Sequence, residues 1–183
     1  MERSVTMIAL FAALIAALGL VPPITLAFGV PVTAQSLGVM LAGTVLGARR
    51  GGLAVLLFVG LVALGLPLLA GGRGGLGVFV SPTVGYLVGF PVAAFATGWI
   101  VERWRGANLA LVAGFAAAVG GIGVDHAFGI VGMAAVLDRS LDEAALLTAA
   151  FVPGDLLKAA IAGMLTAALA RARPGSVPSR ADI

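Results

Sequence analysis

Cysteine is absent from the 183 residues, so the chain holds no disulfide framework and no thiolate metal site, and its redox compartment is left uninformative. Charge is scarce as well, at 10% of residues. Lysine occurs once, at Lys158, histidine once, at His126, and tyrosine once, at Tyr86. A lone histidine without cysteines makes no convincing metal site, and none is expected. No Walker A glycine pattern precedes Lys158, which excludes ATP hydrolysis by a P-loop in this chain. Gly72, Gly74 and Gly77 spell GxGxxG, but no βαβ unit surrounds them, so no dinucleotide site and no other cofactor is expected. Aromatics amount to 7%. That low share argues weakly against a ligand held by stacking on a flat ring system.

What the chain has in quantity is apolar side chains, 61% of residues, with a mean hydropathy of +1.14. That places it in a bilayer. A spanning helix takes about 20 mostly apolar residues. Six runs qualify: Val5–Val21, Val32–Ala48, Leu53–Ala70, Pro82–Val101, Asn108–Val136 and Pro153–Ala170. The expected fold is an all-α integral membrane protein, a compact bundle of six transmembrane helices. Residues 1–170 form its single domain, and residues 171–183 a polar cytoplasmic tail expected to be disordered. The first run is read as a span and not as a cleavable signal, because five more follow it and no small-residue cleavage motif is clear after Leu20.

Positive residues in short loops stay cytoplasmic. With the N-terminus inside, that side collects Arg3, Arg49, Arg50, Arg103, Arg105, Arg171, Arg173 and Arg180 out of 11 basic residues, against Arg73 and Arg139 outside. Both termini are therefore expected to be cytoplasmic, with the chain multi-pass in the cytoplasmic membrane. The net charge of +3 then reflects orientation in the membrane and is no sign of a nucleic-acid partner.

The stretch FVPGDLLKAA, residues 151–160, places Asp155 and Lys158 inside the last span, roughly 3 and 8 Å from its outer end. Their i,i+3 spacing puts both on one side of the helix, in reach of a common partner. Ionisable groups at such depth usually face a cavity, since burial near the bilayer centre costs about 2.5 to 3.5 kcal/mol on insertion scales. Mutual neutralisation along one turn, or a snorkelling Lys158, are the competing readings. Asp125 and His126 lie at similar depth in the fifth span, where the reading favours a helix-packing hydrogen-bond pair over a ligand site. Ala9, Ala13 and Ala17 recur at four-residue steps in the first span, which suits close approach of another helix from within the chain or from a partner. The glycine-rich GLPLLAGGRGGLG, residues 65–77, reads either as a pocket wall that backbone can approach closely or as a tight connection.

Four motifs in order, PVTAQSLGVMLAGTVLG (31–47), GLPLLAGGRGGLG (65–77), SPTVGYLVGFPVAA (81–94) and FVPGDLLKAA (151–160), resemble the BioY family. These are the biotin-specific substrate-capture subunits of energy-coupling factor (ECF) transporters. The resemblance implies six membrane helices with a vitamin site near the outer face, roofed by outer loops. It implies that the alanine face of the first helix docks to a transmembrane coupling subunit, which in turn binds two ATPase subunits. Action without those partners, alone or as a homo-oligomer, stays an open reading. Departures from the family pattern are Pro67-Leu68-Leu69 where an aromatic is usual, Arg73 in the outer loop, and Ser81 before Pro82-Thr83.

Biotin would give the paired charges a task. Its urea offers two N–H donors and a carbonyl acceptor, so Asp155 could accept from an N–H and Lys158 could donate to the carbonyl through charge-assisted bonds. The carboxylate end would meet Arg73, or in the reverse pose Lys158. The resemblance adds Thr33, Gln35, Thr83 and Tyr86 as candidates for the wall. Against these stand an interhelical hydrogen bond for Gln35 and an interfacial anchor for Tyr86. Alternatives to biotin capture are another vitamin such as thiamine or riboflavin, an intramembrane enzyme using Asp125, His126 and Asp155 as acid–base groups, and a structural membrane protein with no saturable ligand.

Overall fold

In the computed structural model of the chain, residues 2–25, 31–105 and 108–180 are described. Helix α1 (Glu2–Leu18) buries Phe11, Ala12 and Ile15 and leaves Ala9, Ala13 and Ala17 exposed. A two-residue antiparallel pair, β1 (Ile24–Thr25) and β2 (Pro31–Val32), leads to α2 (Gln35–Leu46). Helix α3 (Ala48–Ala63) follows after Gly47 alone, whose φ of 86° lies in the left-handed region that favours glycine. An irregular stretch over 64–83, with a 3₁₀ segment at Leu76–Val80, reaches α4 (Val84–Arg103). Helix α5 (Leu109–Ala118) starts at an Asn108 cap that accepts from the Ala110 and Leu111 amides. It runs through a π-helical turn, Val119–Val124, directly into α6 (Asp125–Leu137). Helix α7 (Leu141–Ala149) is started by a capping box between Ser140 and Glu143. Helix α8 (Val152–Ala172) has its proline in the first turn, where the missing N–H removes no bond.

The bundle has the expected all-helical character, and three helical segments are long and apolar enough to cross a membrane: Val84–Arg103, Leu109–Leu137 and Val152–Ala172. Helices α1, α2 and α3 are shorter, with 17, 12 and 16 residues. Leu53, Leu56, Leu111, Phe115, Val131, Leu156 and Leu157 point outward and are exposed, as lipid-facing side chains must be. The core lies around α2, whose neighbours are α1, α3, α4 and α8.

One expectation is corrected. Arg49 and Arg50 belong to the first turn of α3 and not to a loop, because the Gly47 elbow needs a single residue. Residues 181–183 of the expected tail lie outside the described residues, while Val177 and Ser179 are buried and Ser179 Oγ donates to the Thr44 carbonyl at 2.6 Å. Its side chain repeats what a helix cap does, giving a partner to a carbonyl near the end of α2.

Arg3 Nη2 donates to the Gly175 carbonyl at 2.5 Å, and the Ala48 amide donates to Glu102 Oε1 at 3.0 Å. These bonds gather both ends of the chain, the elbow and the foot of α4 at one end of the bundle. Glu102 supplies an acceptor to an N-terminal amide of α3 that has no intrahelical partner. Glu102→Ala should therefore lower stability by about 1 kcal/mol, read as a fall in the unfolding midpoint in detergent.

Helices α4 and α6 meet through glycine. A Cβ on Gly85 would strike the Phe128 carbonyl, and one on Gly132 would come 2.5 Å from Gly85. Close approach through small residues is how helices associate in lipid, where hydrophobic expulsion between them is lost. This crossing brings the start of α6 beside α4, at the end of the bundle opposite the two termini.

Candidate functional site

At that opposite end a cavity opens among α2, α4, α6, α8 and the 64–83 stretch. Thr33, Gln35, Ser36, Leu69, Arg73, Thr83, Tyr86, Leu87, Phe90, Asp125, His126, Phe151, Asp155 and Lys158 line it. All seven expected substrate-site residues are in this set. The three short polar stretches that bring them together come from helix starts: Gln35-Ser36 opens α2, Asp125-His126 opens α6, and Asp155 and Lys158 lie in the first two turns of α8.

Asp155 is the hub. Lys158 Nζ lies 2.9 Å from Asp155 Oδ1, and the two side chains are 15% and 8% exposed. Lys158 also donates to Ser36 Oγ at 2.9 Å, and Ser36 donates onward to Asp155 Oδ1 at 3.3 Å. On the other carboxylate oxygen, His126 Nε2 stands 2.9 Å from Asp155 Oδ2. A carboxylate only accepts, so Nε2 is the protonated nitrogen. The i,i+3 ion pair foreseen on α8 is thus real, and it faces a cavity while α2 and α6 each add a bond to it. Asp125 and His126, read as a pair with each other, are instead separate: His126 serves Asp155, and Asp125 Oδ1 is buried without a partner.

The remaining residues divide into framework and rim. Gln35 is 2% exposed, and its amide is fully engaged. Nε2 donates to the carbonyls of Ile15 (3.1 Å) and Leu68 (3.0 Å), while Oε1 accepts from the Ala70 amide (3.0 Å). It fastens α1 and the 64–83 stretch to α2, as the interhelical reading proposed. Tyr86 OH pairs with Thr148 Oγ1 at 2.9 Å, tying α4 to α7 inside the bundle. Thr33 Oγ1 accepts from the Gln35 amide at 3.3 Å, and Thr83 Oγ1 pairs with Ser81 Oγ at 2.8 Å. Arg73 Nε is held by the Ala70 carbonyl at 3.3 Å, which fixes that guanidinium at the rim.

Sequence reading missed Ser36 and the apolar walls Leu69, Leu87, Phe90 and Phe151. All five stand inside the quoted motifs, Ser36 next to Gln35 and Leu87 next to Tyr86. The rings are few but concentrated: Tyr86 packs edge-on against His126 and Phe151, each with centroids 5.9 Å apart. The low aromatic share of the whole chain therefore says little about this cavity.

A helical membrane bundle with a polar-cored cavity that holds a tethered ion pair suits the capture of a small polar solute. Residues 2–175 match the model of the BioY family, and the chain belongs to that family. It is 54% identical to the "Biotin transporter BioY" of Rhodobacter capsulatus, over 98% of this chain and 100% of that protein. The protein of the same name from Rhizobium etli is 51% identical over 98% of both chains. Among solved structures, the S-component for biotin from an ECF-type ABC transporter superposes with a TM-score of 0.87. It shares 27% identity and covers 93% of this chain and 92% of its own.

Proposed function

We infer that this chain binds biotin and carries it into the cell as the substrate-specific subunit of an ECF-type transporter. It is a transport subunit and not an enzyme. The observation that supports the ligand most directly is the Asp155–Lys158 pair at the cavity wall, 2.9 Å apart and presented by two further helices. An acceptor and a cationic donor side by side complement a urea N–H and its carbonyl. With the fused ring between Phe90, Leu87 and Phe151, the valeryl chain would lead toward the rim and its carboxylate to Arg73. Thr33, Thr83 and Tyr86 complete the wall, and Gln35 holds the 64–83 stretch in place over it.

The cavity end is taken to face outward and the arginine-rich end, with both termini, to face the cytoplasm. The exposed small face of α1 at Ala9, Ala13 and Ala17 suits docking to a transmembrane coupling subunit, with two ATPase subunits supplying the energy this chain cannot generate. The test is equilibrium binding of labelled biotin to the detergent-purified chain, with thiamine and riboflavin as competitors. Saturable binding that neither competitor displaces is the expected result. A folded chain that ignores biotin, or that yields it to thiamine or riboflavin, overturns the assignment.

A further inference from the structure

The donors nearest the ion pair are bonded to partners other than Asp125. Lys158 and Ser36 serve Asp155 Oδ1, His126 serves Asp155 Oδ2, and Tyr86 pairs with Thr148. Asp125 lines the same cavity, is 4% exposed, and its Oδ1 has no partner at all. A buried, unpaired acceptor costs the protein its full desolvation penalty, so in a folded chain it asks for an explanation.

The surrounding backbone keeps that oxygen open. On α4 Gly89 lies beside it, and a Cβ there would come 2.7 Å from Asp125 Oδ1. A larger residue there would cover the carboxylate, and a serine would invade it. Asp155, by contrast, already accepts three bonds, two on Oδ1 and one on Oδ2. A ligand with two N–H donors on one small ring would therefore find one vacant acceptor site on Asp155 and the unpartnered Oδ1 of Asp125.

We propose that Asp125 is a second ligand-recognition residue, accepting one urea N–H of the occupant while Asp155 accepts the other. The inference rests on the biotin reading and sharpens it: selectivity comes from two acid side chains that each accept from a donor, with Lys158 serving the carbonyl. Ligands with one N–H, or none, leave a buried carboxylate unpaired and are rejected.

The experiment measures binding of biotin and of its two mono-N-methyl urea isomers to the wild-type chain, Asp125→Asn and Asp125→Ala. Biotin affinity is expected to fall about ten- to a hundred-fold with alanine and by less with asparagine, which still offers a neutral acceptor. One of the two isomers should lose nothing further on Asp125→Ala, because its methyl group has already removed the donor that Asp125 meets. The unfolding midpoint of the ligand-free Asp125→Asn chain should hold or rise, since a merely structural carboxylate would lower it on removal. Unchanged biotin affinity in both variants overturns the proposal, as does a loss shared equally by biotin and both isomers. Failure of the wild-type chain to bind biotin strikes the underlying assignment instead, and so the two failures are told apart.

Discussion

Lys158→Met is expected to remove biotin binding by about a hundred- to ten-thousand-fold and to destabilise the ligand-free bundle by about 3 to 5 kcal/mol. The two effects have different origins. The stability loss arises because Asp155, with its side chain 8% exposed, keeps the Ser36 and His126 hydrogen bonds but loses the Lys158 ammonium at 2.9 Å. The binding loss arises because the ligand carbonyl no longer meets a donor. Adding Asp155→Asn to Lys158→Met should separate them. The amide can still offer its oxygen to His126, no unpaired charge is left, and unfolding stability should largely return while biotin binding does not. Chemical unfolding in detergent and labelled-biotin binding on the same preparations read both quantities. Stability that stays low in the double variant would mean that the pair is not the source of the cost, and binding that returned would remove the pair from the ligand site.

The second large effect is expected far from the cavity. Gly98 on α4 faces the elbow between α2 and α3, and a Cβ there would fall on the Gly47 carbonyl carbon and the Ala48 amide nitrogen. Both are main-chain atoms, so no rotamer change can make room. Gly43 shows the same crossing from α2, with a built Cβ 2.5 Å from the Ala94 carbonyl oxygen. Gly98→Val should cost about 3 kcal/mol or more and sharply reduce the yield of monodisperse protein. The control is Gly60→Ala on α3, where nothing lies within 4 Å of the added carbon. That replacement should be neutral or mildly stabilising, because alanine restricts the unfolded chain at no steric cost. Equal outcomes for the two glycines would show that close helix approach at the elbow is not what the sequence requires.

Much of this was legible from residue order. Apolar run length gave the bundle, because a bilayer tolerates few other solutions for so hydrophobic a chain. Rarity pointed to the cavity: the single lysine, the single histidine and two aspartates inside apolar runs all line it. What could not be read was pairing across the fold. His126 and Asp155 are 29 positions apart, and nothing in either neighbourhood says that histidine will choose the remote carboxylate over the adjacent one. Adjacent helical residues point about 100° apart, so Asp125 and His126 were poor candidates for mutual bonding on geometry alone. The π-helical turn before them was equally hidden. There a Cβ on Gly121 would strike the Met40 side chain, and one on Gly120 would come 2.6 Å from the Ala93 carbonyl, a tertiary constraint with no local signature. The elbow is hidden too, because Arg49 and Arg50 have loop-like chemistry yet ride the outer face of α3's first turn and are exposed.

The brevity of α2 and α3 bears on how the protein sits in its membrane. At 12 and 16 residues they rise about 18 and 24 Å, against a hydrocarbon slab of about 30 Å. On that flank the shortfall in hydrophobic thickness falls to the non-helical 64–83 stretch, and its outward side chains match the task. Leu64, Leu66, Leu76 and Val80 are 81%, 40%, 74% and 76% exposed, while Leu69, Ala70 and Val78 are buried. Irregular backbone is tolerated at such depth only where the protein itself satisfies its polar groups, and the Gln35 amide does so at Leu68 and Ala70. The stretch that lines the cavity through Leu69 and Arg73 therefore also turns an apolar outer surface, Leu64, Leu66, Leu76 and Val80, away from it.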